Sequence, residues 1–154
     1  MMKIAVYKAE IEQLCWRIRE RFQSDCIILH GSVARGTHTL KSDVDIIVVG
    51  GNLADNFFTR LYELSELRDG KTPFEIVGYT LAEWEDMMSR FHLTTLEALQ
   101  WGIPLHGEAL FGQWHGRFMY WKSLGLRRGK VSWFIPPQLE ADVGELSADH
   151  FPRI

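Results

Sequence analysis

Apolar side chains recur at Ile11, Leu14, Cys15, Ile18 and Phe22, with Lys8, Glu10, Arg17, Arg19 and Glu20 on the remaining positions. This i, i+3, i+4, i+7, i+11 spacing predicts an amphipathic helix from about Val6 to Phe22. Ser24-Asp25 breaks the pattern, and Cys26-Ile27-Ile28-Leu29-His30 is a short, β-branched apolar run bounded by Gly31, the mark of a buried strand. A brief helical turn over Ser32 to Arg35, with Ser32 as its cap and Gly36 as its stop, leads through a polar connector to a second buried strand, Val44 to Val49. Asp55 then caps a helix from about Asn56 to Arg68 that is expected to bury Phe57, Phe58, Leu61, Leu64 and Leu67. A third strand is expected from Pro73 to Tyr79.

Thr80 followed by Glu83 is a capping-box signature, so a helix to about Arg90 starts there. Another runs from about Thr94 to Trp101 and stops at Gly102 and Pro104. The last, roughly Glu108 to Leu124, carries Leu110, Phe111, Trp114, Phe118 and Trp121 on one side, a stripe that suits a core or an oligomer seam. Val131 to Ile135 has the character of a short strand, and Pro136-Pro137 marks a boundary before an acidic arm. Strands alternating with helices predict an α/β (α+β) fold with a mixed β-sheet covered by helices on one side. The expected organisation is a domain over 1–107, a helix with a basic, aromatic segment over 108–137 packing on it, and a tail over 138–154.

A chain of 154 residues suits one core. With 46% hydrophobic and 24% charged residues, it has neither a disordered nor a membrane-embedded composition. No apolar run spans a bilayer and the N-terminus does not have the pattern of a signal peptide, which points to the cytoplasm. Cys15 and Cys26 fit buried thiols in a reducing compartment. A formal net charge of −3 gives no general electrostatic case for nucleic-acid binding, although Arg127, Arg128 and Lys130 form a local basic cluster.

The chemistry concentrates in His30 to Gly50, HGSVARGTHTLKSDVDIIVVG. Gly31-Ser32 opens a turn of small residues whose backbone N–H groups approach anionic oxygens closely. Asp43 and Asp45, two apart on an incipient strand, project to the same side, where they suit a hard divalent cation. The stretch has the parts of a phosphate cradle beside a metal site, as a nucleoside triphosphate with magnesium requires.

Gly31-Ser32, ten intervening residues and then Asp43-Val44-Asp45 resemble the signature of the DNA polymerase β-type nucleotidyltransferase superfamily in its minimal, small-domain form. Val33-Ala34-Arg35-Gly36, Ser42 and the strand Ile46 to Val49 extend the resemblance. Pro73-Phe74-Glu75-Ile76-Val77 resembles the strand with the family's third carboxylate, and Glu97-Ala98-Leu99 with Gly102-Ile103 resembles its closing helix. The resemblance implies catalytic, metal-binding roles for Asp43, Asp45 and Glu75, with two Mg2+ ions. It implies nucleotide and phosphate contacts for Gly31, Ser32, Arg35 and Ser42. His30 is expected to be a packed strand-end residue, and His38 and Lys41 solvated loop residues.

The implied activity is transfer of a nucleoside monophosphate, AMP from ATP, to a hydroxyl acceptor. A stand-alone domain of this kind resembles the antitoxin partner of small helical, HEPN-type RNases, where the acceptor is a tyrosine of the toxin and the aromatic C-terminal third supplies the dock or a homo-oligomer contact. A second reading is a catalytically weak nucleotide- or partner-binding module of the same fold, because an Asp is commoner than Glu at the third place. RNA binding through the basic cluster is a third.

Overall fold

The computed structural model describes residues 6–140; the remainder of the expected C-terminal arm lies outside the described residues. Helix α1 (Lys8–Phe22) leads to β1 (Cys26–His30), α2 (Gly31–Arg35), β2 (Val44–Val49), α3 (Phe57–Ser65), β3 (Phe74–Tyr79), α4 (Leu81–Ser89) and α5 (Leu93–Trp101). Strand β4 (Ile103–His106), α6 (Glu108–Ser123) and a hairpin of β5 (Arg127–Arg128) and β6 (Trp133–Phe134) complete it. The main sheet is mixed, in the order β3-β2-β1-β4. β1 runs antiparallel to β2 and β4, whereas β3 runs parallel to β2.

The expected helical cover on one side is corrected: both faces of the sheet are buried. Ile27, Leu29, Ile46, Val48 and Ile76 share one core with the α1 residues Ile11, Leu14 and Ile18 and with Leu64 of α3. The alternate residues Cys26, Ile28, Ile47 and Val49 share a second core with Trp84, Leu99, Trp114, Phe118 and Trp121 of α4, α5 and α6. Strands apolar on both alternating sides need cover on both. The aromatic stripe of α6 is largely spent on that second core, and Met119 and Tyr120 are the large apolar side chains the helix leaves exposed.

Four further expectations change. The helix stops at Gly102 as expected, but the residues after it form a further strand, β4, whose four residues, Pro104 among them, pair with β1 and make an edge among the described residues. The cap of α3 is Asn56, whose side chain accepts from the Thr59 N–H at 3.0 Å, in place of Asp55. α2 starts at Gly31 with His30 at its cap position and no side-chain cap bond, so Ser32 lies inside its first turn. The face of α3 is also narrower than expected, because the helix covers the edge strand β3: Leu64 is buried, but Phe57 and Phe58 are 39% and 78% exposed.

The buried side chain that replaces them is Arg60. Its guanidinium donates to the carbonyl oxygens of Ala54 (2.8 Å), Gly78 (3.0 Å) and Asp55 (3.2 Å), and to Glu83 Oε1 at 2.7 Å. Glu83 closes the capping box expected at Thr80, accepting from the Thr80 N–H at 2.7 Å while Thr80 Oγ1 accepts from the Glu83 N–H at 3.1 Å. A buried guanidinium is tolerated because its donors meet fixed acceptors and its charge meets a carboxylate.

Candidate active site

Register brings the acids together. The antiparallel pairing of β1 and β2 sets His30 opposite Asp45, and the parallel pairing of β2 and β3 sets Asp45 opposite Glu75. By strand alternation Asp45 and Glu75 share the face of Ile47 and Val77, which belong with the aromatic core. One carboxylate oxygen from each of Asp43, Asp45 and Glu75 lies within 4.8 Å of the others. Asp43 and Glu75 are exposed and Asp45 is half-buried.

Like charges this close oppose one another's ionisation. Burial, with Glu75 and then Asp43 beside it, pushes the Asp45 carboxyl up to about 6. An all-oxygen donor set of concentrated negative charge, open to solvent on one side, fits a hard divalent cation. His30, half-buried at the strand end, is pushed down to about 4 by burial, so it is a neutral neighbour at physiological pH.

Gly31 is part of this geometry. Its φ is +73°, and a Cβ there would collide with the Asp45 carboxylate. A side chain at residue 31 would thus be strained in the backbone and would displace a proposed ligand. Ser32 follows it, half-buried in the first turn of α2. Ser42 is turned to its own loop: its Oγ accepts from the Thr39 N–H at 2.8 Å, which shapes the connector into Asp43. His38 and Lys41 are exposed on that connector.

Arg35, in the last turn of α2, is exposed, and its guanidinium carbon lies 4.0 Å from the Trp101 ring centroid. Two residues of the basic cluster after α6, Arg127 and Arg128, are engaged within the chain. Arg128 forms a two-point pair with Glu97, 3.2 Å on each oxygen, and Arg127 lies 4.3 Å from the Phe134 ring. Trp101 carried no sequence signal beyond its place at a helix end, since its partners come from separate segments. Asp43, Asp45, Glu75 and Gly31 are therefore brought together, and Arg35 sits one short helix away.

The nucleotidyltransferase domain model matches residues 11–92, a little over half of the chain. The protein belongs to the nucleotidyltransferase domain family, as the resemblance carried by Gly31-Ser32 and Asp43-Val44-Asp45 implies. No curated protein matches the sequence. Among solved structures, a toxin–antitoxin with AMP-PNP aligns at 20% identity with a TM-score of 0.50, covering 73% of this chain and 87% of that one. A mutant MntA–HpeT toxin–antitoxin aligns at 18% identity with a TM-score of 0.51, covering 76% and 86%. At these identities the likeness is one of fold, and it supports the polymerase β-like nucleotidyltransferase architecture.

Proposed function

We propose that the protein is a magnesium-dependent nucleotidyltransferase that moves AMP from ATP to a hydroxyl acceptor. The observation that carries this reading is the convergence of Asp43, Asp45 and Glu75 within 4.8 Å beside a glycine that admits the carboxylate. Asp43 and Asp45 would hold both of a pair of divalent ions and Glu75 one of them. Bound there, the ions supply Lewis-acid stabilisation of the reacting phosphate oxygens and lower the pKa of the acceptor hydroxyl.

The chain's own groups do the rest. Gly31 and Ser32 cradle the β- and γ-phosphates, and Arg35 supplies a permanent positive charge close by. His30, opposite Asp45 in the β1–β2 register, is a neutral neighbour at physiological pH. The connector held by Ser42 fixes the approach of Asp43. Residues 1–107 make the minimal catalytic unit and 108–137 pack on it.

The acceptor we favour is a tyrosine of a small helical HEPN-type RNase, with this chain as its antitoxin. The fold likeness to toxin–antitoxin structures, one of them with AMP-PNP, supports that choice. Tyr120 and Met119, exposed on α6, offer apolar contact area for the partner or for a second copy. Among the described residues no helix is long and apolar enough to cross a membrane, and we place the activity in the cytoplasm.

The test is incubation of the full chain with α-labelled ATP, Mg2+ and a small helical HEPN-type RNase as the candidate acceptor. Label moves to the partner with the wild type and falls at least about a thousandfold with Asp43→Asn plus Asp45→Asn. Label transfer that survives the double substitution would overturn the catalytic reading. The exposure of Glu75 on an edge strand favours one alternative, a binding module without turnover. Calorimetry separates the two, since tight ATP–Mg2+ binding with no transfer to any partner selects the module.

A further inference from the structure

The indole of Trp101 joins two parts of the chain that are far apart in sequence. Arg35 lies 4.0 Å from its centroid and Arg128 lies 5.0 Å away. Among the described residues Arg35 has no carboxylate or hydrogen-bond partner, so its guanidinium donors are open to an incoming anion. It sits over the indole, whose π face attracts a cation while leaving the in-plane N–H fork unused.

Arg128, by contrast, is committed. Glu97 accepts from its Nε and Nη2 at 3.2 Å each, and Glu97 Oε2 also accepts from Trp133 Nε1 at 3.0 Å. Arg128 and Trp133 face each other across the β5–β6 hairpin. One carboxylate of α5 thereby holds both strands of the hairpin, and the hairpin holds Arg128 near Trp101. The backbone next to the indole runs close to β1, because a Cβ on the following residue, Gly102, would lie 2.8 Å from Ile28. Ile28 is two residues before His30, the partner of Asp45, so Trp101 stands on the face and at the end of the sheet that carry the acids.

We propose that Trp101 is a positioning residue that holds the Arg35 guanidinium for the triphosphate, and that the β5–β6 hairpin, latched through Glu97, fixes that indole. The C-terminal segment beyond α6 is then part of the nucleotide site. α2 spans only about 6 Å along its axis, so Arg35 is within side-chain reach of phosphates cradled at Gly31. Without the indole, a long exposed arginine samples many rotamers and loses entropy on each binding event. This inference rests on the proposed nucleotide site, and its test separates the two.

Affinity for AMP-PNP with Mg2+ is measured by calorimetry on the full chain, with thermal melts of each variant. Arg35→Ala weakens binding about tenfold or more, the value of a charge-assisted contact to phosphate. Trp101→Leu weakens it about three- to fivefold, and Trp101→Phe, which keeps an aromatic face, restores most of that loss. Because Trp101 acts through Arg35, Trp101→Leu adds less than about twofold in the Arg35→Ala background. Equal affinity of Trp101→Leu and wild type, or a Trp101→Leu loss that persists without Arg35, overturns the inference while leaving the nucleotide site intact. If Trp101→Leu does not fold, Glu97→Gln carries the test: weaker binding supports the latch, and unchanged binding overturns it. A wild type that does not bind AMP-PNP with Mg2+ overturns the proposed function itself.

Discussion

The two ends of the sheet treat charge in opposite ways. At the end where β2 and β3 begin, Asp43, Asp45 and Glu75 crowd together, and Asp45 is pushed up to about 6 by burial and by its acidic neighbours. At the other end, burial also pushes Glu83 up, but the Thr80 N–H and the Arg60 guanidinium outweigh it, and its carboxyl lies below the ordinary value. Asp25 there caps a turn, accepting from the Gly51 N–H at 3.1 Å. One end pairs its buried guanidinium with a carboxylate, and the other gathers three carboxylates of one sign against one another. Structural charges are paired because an unpaired one costs stability; charges left like against like are kept for a ligand of opposite sign.

Substitutions at the two ends should therefore separate stability from function. The largest stability loss is expected from Arg60→Ala, which strands three carbonyl acceptors and Glu83, at about 3 kcal/mol in denaturant unfolding. Arg60→Lys recovers little of it, since an ammonium cannot reproduce the fork. A loss under about 1 kcal/mol would break the contrast.

Gly51→Ala comes next. Its φ is +85° and a Cβ would collide with the Phe22 carbonyl, a backbone atom that cannot swing aside, so about 2 kcal/mol is expected. Gly31→Ala at the acidic end is the matched case. The obstacle there is the movable Asp45 side chain, so about 1 kcal/mol of stability is lost while Mg2+ affinity falls about tenfold. If the two glycines behaved alike in melts and in Mg2+ titration, the distinction between the ends would fail.

Smaller still are the charge effects at the acidic end. Mg2+ at ten times its dissociation constant raises wild-type stability by about 1.4 kcal/mol at pH 7.5 and does not raise that of Asp43→Asn plus Asp45→Asn. Without metal, Asp45→Asn melts about 2–4 °C above wild type at pH 7.5. The sign follows from the raised carboxyl: protonated Asp45 contributes stability that is fully present below its unfolded value of 3.8 and is lost as pH rises through about 6. The gain from Asn is thus largest at pH 7.5, smaller at pH 5 and absent near pH 4. His30, pushed down to about 4, works in the opposite direction, but it is present in both proteins and cancels in the difference.

Much of this molecule follows from local pattern. The apolar spacing from Ile11 to Phe22 marks α1, Thr80 and Glu83 mark the start of α4, and Asp43 with Asp45 must share a face whatever the rest of the chain does. Gly31-Ser32 and its distance from the two acids led to the nucleotidyltransferase family because that spacing is written along one stretch of chain. Only the tertiary structure decided that Glu75 lies opposite Asp45, that β4 closes the sheet beyond β1, that Arg60 is buried in place of Phe57 and Phe58, and that Trp101 receives Arg35. Periodicity tells which side of an element turns inward, because each residue's direction is fixed by its neighbours in sequence. Strand register, and the partner a buried charge finds, depend on segments far away along the chain, and those pairings exist only once both faces of the sheet are covered.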